Sequence, residues 1–172
     1  MKKIKIKLEE SSIDAAIKAL AEYKKKFKVK KQRLIEELAY VGLSKAAVTF
    51  SSADYDGLND VEVTVEKISE NKVAIVARGN AVAFIEFGTG VFNPEHPLAD
   101  DLGMKHGTYG QGKGNRKAWV YYGVKGKNGI SVSEDREGAY LTYGNPPALA
   151  MYYAEQEVLN KIREVAVKVF ND

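Results

Sequence analysis

A chain of 172 residues, 45% apolar and with a formal charge of +3, has the length and composition of one globular domain with a core of its own. It contains no cysteine, which excludes a disulfide framework, thiolate metal ligation and a thiol nucleophile. No apolar run approaches the ~20 residues of a membrane span, and residues 1–7 lack the continuous apolar core of a signal peptide, so a soluble, unexported chain with no membrane partner is expected.

The charge is unevenly spread. Residues 1–33 hold twelve Lys/Arg against four Asp/Glu (+8), and the remainder holds fourteen against nineteen (−5). A basic arm ahead of a mildly acidic body suits contact with a polyanion or a head-to-tail contact between copies, with a solvated helix face the plainer explanation.

In chain order, residues 3–8 alternate apolar residues with lysine, the period of an edge strand, so residues 1–10 read as an N-terminal strand or arm. Ser11 or Ser12 can cap a helix over 12–26, in which Ile13, Ile17 and Leu20 share a face. The lysine-rich run 24–31 then interrupts that face. The spacing of Phe27, Leu34, Leu38, Val41 and Val48 suits one long helix, but repulsion among the lysines favours two helices meeting at 27–30. The second would reach about Val48 and bury Leu34, Ile35, Leu38, Val41 and Leu43.

From Val61 the period changes to two. Residues 61–66 and 73–77 predict a hairpin turning at 69–71, and Gly79-Asn80 leads into a third run, A-V-A-F-I-E-F at 81–87. That run reads as a strand buried on at least one side and completing a meander. It ends at Gly88-Thr89-Gly90. Residues 88–115 hold seven glycines, two prolines and both histidines without periodicity, which predicts a long flexible loop, 88–117 at its widest. Trp119 lies in a short strand at 118–122, residues 123–138 form a polar loop, and 139–143 is another strand. Gly144-Asn145-Pro146-Pro147 stops the sheet and opens a helix, with proline in its first turn. Leu149, Tyr152, Tyr153, Gln156, Leu159, Ile162, Val165, Ala166 and Val169 mark that helix's apolar face. The expected fold class is α+β, one domain over 1–172: an antiparallel or mixed sheet packed by N-terminal helices and a long C-terminal helix, with a long glycine-rich loop.

One cluster has the side chains of a catalytic or metal site: Glu86, Glu95, His96, Asp100, Asp101 and His106. Imidazole and carboxylate ligate zinc, nickel or iron, which would make the chain a metal-dependent hydrolase or nuclease. The spacing matches no compact pattern such as H-E-x-x-H, so neither metal nor other cofactor is expected, and His96 ahead of Pro97 is better explained by a structural hydrogen bond or by packing at a contact. The glycine-rich stretch 107–114 fits neither phosphate-binding pattern, since it is not G-x-x-x-x-G-K-S/T and a strand follows it. The basic arm allows transient DNA contact, as in a packaging accessory, but only Tyr23 and Phe27 interleave its lysines.

F-I-E-F-G-T-G at 84–90, then His96-Pro97, then G-N-P-P-A-L-A-M at 144–151 ahead of a last helix, resembles the tail-component family of long-tailed bacteriophages, the tail completion or head–tail joining proteins. The order of elements matches over about 34–170. The resemblance implies a virion structural protein of a phage or prophage at the head-proximal end of the tail, a head–tail connector subunit assembled in the host cytoplasm, and no enzyme. It implies a ring, a hexamer in that family, with tail-tube and connector proteins as partners. The residues carrying it, Glu86, Phe87, Gly88, Thr89, Gly90, His96, Pro97, Trp119, Gly144, Pro146 and Pro147, are then candidates for the motif's framework or its interface.

Overall fold

The computed structural model describes residues 9–110, 116–133 and 135–171, so the strand expected at 3–8 lies outside it. The fold is α+β: α1 (Glu10–Ser51), β1 (Glu62–Ser69), β2 (Lys72–Arg78), α2 (Val82–Glu86), β3 (Trp119–Tyr122), β4 (Ile130–Ser131), β5 (Ala139–Thr142) and α3 (Ala150–Asn171).

The two N-terminal helices expected on either side of 27–30 are one helix of 42 residues, about 63 Å long. The lysine run contains no glycine or proline, and its charges are directed apart. Lys28 Nζ donates to Glu70 at 3.0 Å on the hairpin turn, and Lys30 Nζ donates to the Phe170 carbonyl at 3.3 Å. The helix begins at Glu10, and its N-cap is Glu9, which makes no side-chain capping bond, instead of Ser11 or Ser12. Residues 34, 35, 38, 41 and 43 are half-buried, and the buried positions are Ala16, Ala39, Gly42, Ala46 and Phe50.

α3 lies antiparallel along α1. Ala150 and Ala154 at its start pack with Ala46 and Phe50, and Phe170 near its end stacks on Phe27 with ring centroids 5.6 Å apart. Small residues set the closeness of this pairing. A Cβ on Gly42 would run into Ile75 Cδ1 and lie 2.9 Å from Val158 Cγ2, so glycine is what lets α1, β2 and α3 meet. The buried face of α3 is Ala150, Ala154, Val165 and Val169; Leu159 and Ile162, expected on it, are exposed. Phe50 and Ile85, each 1% exposed, are the largest apolar side chains in the core, and burial of each contributes about 2 kcal/mol.

The hairpin is as expected, antiparallel with Val63 opposite Ala77 and Val65 opposite Ile75, and it packs on α1. The third strand of the meander does not exist: α2 stands there. A seven-residue apolar run satisfies either period, and here the helix is imposed from outside. Asp60 accepts the backbone N–H of Asn80 at 2.8 Å and of Ala81 at 2.9 Å, capping the turn before it starts, and Ala81 and Ile85, four apart, fill the core. The strands at 119–122 and 139–142 pair with each other in a second, separate sheet of order β3-β5-β4, Trp119 opposite Thr142, to which the supposed polar loop adds β4.

Candidate functional site

The two halves of the motif, 54 or more residues apart in the chain, are joined in space. α2 ends at Glu86 with Phe87 as its C-cap, and Gly88 with φ 77° supplies the left-handed residue that closes a short helix. This turn aims the Glu86 carboxylate at the start of α3. Glu86 Oε2 accepts the Met151 N–H at 2.9 Å, and Oε1 accepts the Tyr152 N–H at 3.2 Å. A carboxylate 4% exposed thus sits against the positive end of a helix whose preceding residue, Leu149, takes φ 57° and offers no capping oxygen.

His96 completes the shell. Its Nδ1 accepts the Leu98 N–H at 3.0 Å, so the ring proton sits on Nε2, which donates to Glu86 Oε1 at 3.3 Å. The ring is 4% exposed and lies 4.7 Å from the Phe87 ring.

Beside this, Thr89 and Asn145 exchange backbone bonds, Thr89 N–H to Asn145 O at 2.8 Å and Asn145 N–H to Thr89 O at 3.0 Å. The Asn145 side chain donates to Thr89 Oγ1 at 3.1 Å and accepts the Asp56 N–H at 2.8 Å. The two chains approach so closely that a Cβ on Gly144 would overlap the Thr89 carbonyl oxygen, and one on Gly88 would lie 2.7 Å from Pro147 N. Pro146 and Pro147 belong to this extended lead-in, three residues or more before α3, and not to its first turn.

Asp56, which the sequence reading passed over, is the hub on the far side. It is 8% exposed, and its carboxylate accepts Thr142 Oγ1 at 2.6 Å and the Asn128 N–H at 2.9 Å, tying the second sheet to the loop after α1. Its only signal in sequence was an Asp-Gly pair inside a loop.

Residues 88–110, expected to leave the body as a pliant limb, turn back on it. His106 Nε2 bonds the Phe87 carbonyl at 3.2 Å, the Tyr109 hydroxyl donates to the Gly88 carbonyl, and Ala99 is 3% exposed. Burial, with Glu95 nearby, pushes the Tyr109 phenol up to about 12. The outer face of the loop carries Val91, Phe92 and Leu102, at 45%, 64% and 56% exposed.

The six-residue cluster disperses. Glu86 and His96 serve the α3 terminus, His106 a backbone carbonyl, and Asp100 pairs with Lys105 at 2.5 Å, while Glu95 and Asp101 face solvent. Among the described residues no three His, Asp or Glu side chains converge on a point that could hold a metal ion. Pro97 is exposed, and Trp119 lines a cleft of about 660 Å³ with Tyr55, Phe84, Tyr109, Tyr121 and Arg116. A shallower groove of about 880 Å³ runs between α1 and α3 past Tyr40, Val41, Val48 and Val165. No helix among the described residues is long and apolar enough to cross a membrane. No family model, curated protein or solved structure matches the chain.

Proposed function

We propose that this chain is an assembly subunit: a tail completion or head–tail connector protein of a phage or prophage, located in the tail or neck of the virion and acting by closing a ring. The observation that carries the assembly reading is its surface. Val91, Phe92 and Leu102 on the loop face are 45%, 64% and 56% exposed, and Tyr40 and Val48 along the α1–α3 groove are 60% and 65% exposed. Apolar residues exposed in groups mark where neighbours fit. A ring of identical subunits needs two unlike surfaces on each copy, which these two faces provide.

The phage assignment is supported by the resemblance and by the closure of its two motif halves into one framework. Glu86, Gly88, Thr89, Gly144 and Asn145 act in it by fixing geometry, holding the Val91–Phe92 turn and the start of α3 in one rigid relation. Both histidines and the buried carboxylates are occupied by structural bonds, which counts against the hydrolase or nuclease reading. Tail-tube and connector proteins are the partners that the reading implies, with DNA passing through the ring.

Light scattering on the purified chain, together with negative-stain imaging alone and mixed with a tail-tube protein, tests this. Rings are expected, and Phe92→Ser with Leu102→Ser should reduce them to smaller species of unchanged helical content. A chain that remains without rings at high micromolar concentration, both alone and with a tail-tube protein, rejects the reading.

A further inference from the structure

α1 runs past the end of α3 by about 25 Å, and the overhanging part is not a plain solvated helix. Ile13, Ile17, Leu20, Tyr23 and Phe27, spaced 4, 3, 3 and 4 apart, lie along one face and are 43%, 59%, 53%, 62% and 45% exposed, while Ala16 on the same face is 5% exposed. Tyr23 and Phe27 already stack on one another, with centroids 6.3 Å apart. The charges of this arm are divided along its axis. Glu9, Glu10 and Asp14 lie at the outer end, and Lys24, Lys25, Lys26 and Lys28 at the inner end.

We infer that the arm pairs with the arm of a second copy of this chain, antiparallel about a two-fold axis at Leu20. In that register Leu20 meets its own counterpart, Ile13 comes level with Phe27, and Ile17 comes level with Tyr23. The acidic end of each arm then lies along the lysine end of the other, and both apolar stripes are covered over about 21 Å. Parallel pairing sets lysine against lysine, and a shift by a turn leaves Ile13 or Phe27 without an apolar partner. The α1–α3 groove of a neighbour suits the arm less well. Its carboxylates Glu37 and Glu164 are already held by Lys168 at 3.1 Å and Lys161 at 2.8 Å. Seventeen residues of isolated helix, 10–26, would be marginal in water, but here the helix is already fixed from Phe27 onward by the body. The contact uses the same patch on both copies, so it joins subunits in twos and leaves the loop face and groove free; it does not depend on the ring.

Because the chain has no cysteine, a single introduced thiol reports its own contact. Leu20→Cys under mild oxidation should give a covalent dimer at least ten-fold faster than Asn71→Cys on the exposed hairpin turn. Ile13→Cys alone should match that slow control, since its counterpart is about 21 Å away, and should cross-link on mixing with Phe27→Cys. Replacing Lys24, Lys25 and Lys26 by Glu should abolish the Leu20→Cys dimer, and reversing Glu9, Glu10 and Asp14 to Lys in the same chain should restore it. A fast Ile13→Cys homodimer would mean parallel pairing and would overturn the inference. So would a slow Leu20→Cys reaction in the full chain that becomes fast after removal of residues 2–8, because the stripe would then be covered by its own chain. Slow reaction of both Leu20→Cys and the Ile13–Phe27 mixture would also overturn it. Rings without the Leu20 dimer would reject this contact alone, and the dimer without rings would reject the ring alone.

Discussion

Thr89 and Asn145 bind each other twice through the backbone, at 2.8 and 3.0 Å, across 56 residues of sequence. The consequence is that E-F-G-T-G and G-N-P-P are one structural object, so damage to either half should be felt as damage to both. The helix start held by Glu86 and the crossing of Gly88, Gly90 and Gly144 are its two parts, and each can be tested separately.

The Glu86–His96 pair should behave as a unit. Glu86→Gln replaces one acceptor of a buried carboxylate by an amide donor facing an N–H, and it should lower unfolding free energy by about 2 kcal/mol. His96→Ala removes a donor from the same oxygen and should cost about as much. In urea titrations the double variant should fall short of the summed losses by about 1 kcal/mol. Strict additivity would show that ring and carboxylate act independently.

Glycine substitutions should divide by surroundings and not by backbone angle alone. Gly144 (φ 96°) and Gly103 (φ 66°) both lie in the left-handed region, but a Cβ at 103 meets open space and at 144 it meets the Thr89 carbonyl. Gly103→Ala should therefore cost about 1 kcal/mol, whereas Gly144→Ala should cost about 3 kcal/mol or more, read from thermal and urea midpoints. Equal losses would place the strain in the backbone and not in the crossing.

Acid should loosen the turn that leads into α2. The Asn80 and Ala81 N–H groups hold the Asp60 carboxyl below its ordinary value of 3.8. A depressed carboxylate binds protons more weakly folded than unfolded, so its stabilising effect is complete above about pH 4 and is lost as pH falls through the folded value. Asp60→Asn should be less stable at pH 7 and should show a shallower fall in stability between pH 4 and 2 than the parent chain. Identical slopes would mean that the Asp60 charge does not hold that turn.

Much of the fold was legible from periodicity. The first strand of the hairpin alternates over 61–66, the second is an unbroken apolar run over 73–77, and α3 repeats apolar residues over six turns, so in each the local pattern and the final element agree. α2 was not legible, because the residue that decides its conformation, Asp60, lies twenty positions upstream of Asn80, beyond any local window. In α1 the decisive signal was present but outweighed. The absence of any glycine or proline from 10 to 41 matters more to helix continuity than lysine repulsion, which Glu70 and the Phe170 carbonyl absorb. For α3 the apolar pattern was right at Val165 and Val169 but not in the middle: Leu159 and Ile162 are exposed, and at the start of the helix the buried seam is Ala150 and Ala154, because close helix packing there selects small side chains. In the site, both motif halves were visible as sequence, but their meeting, and the part Asp56 plays behind them, depend on contacts between distant segments that spacing does not encode.

The pairing of the first long helix with the last has a consequence for how the protein is made. The ribosome delivers α1 before α3, so the contacts of Ala46 and Phe50 with Ala150 and Ala154 form only after both sheets have been made, and the Glu86 carboxylate is made before the helix terminus that it caps. A nascent chain truncated anywhere before Ala150 lacks both, which makes the docking of α3 the event that locks the domain.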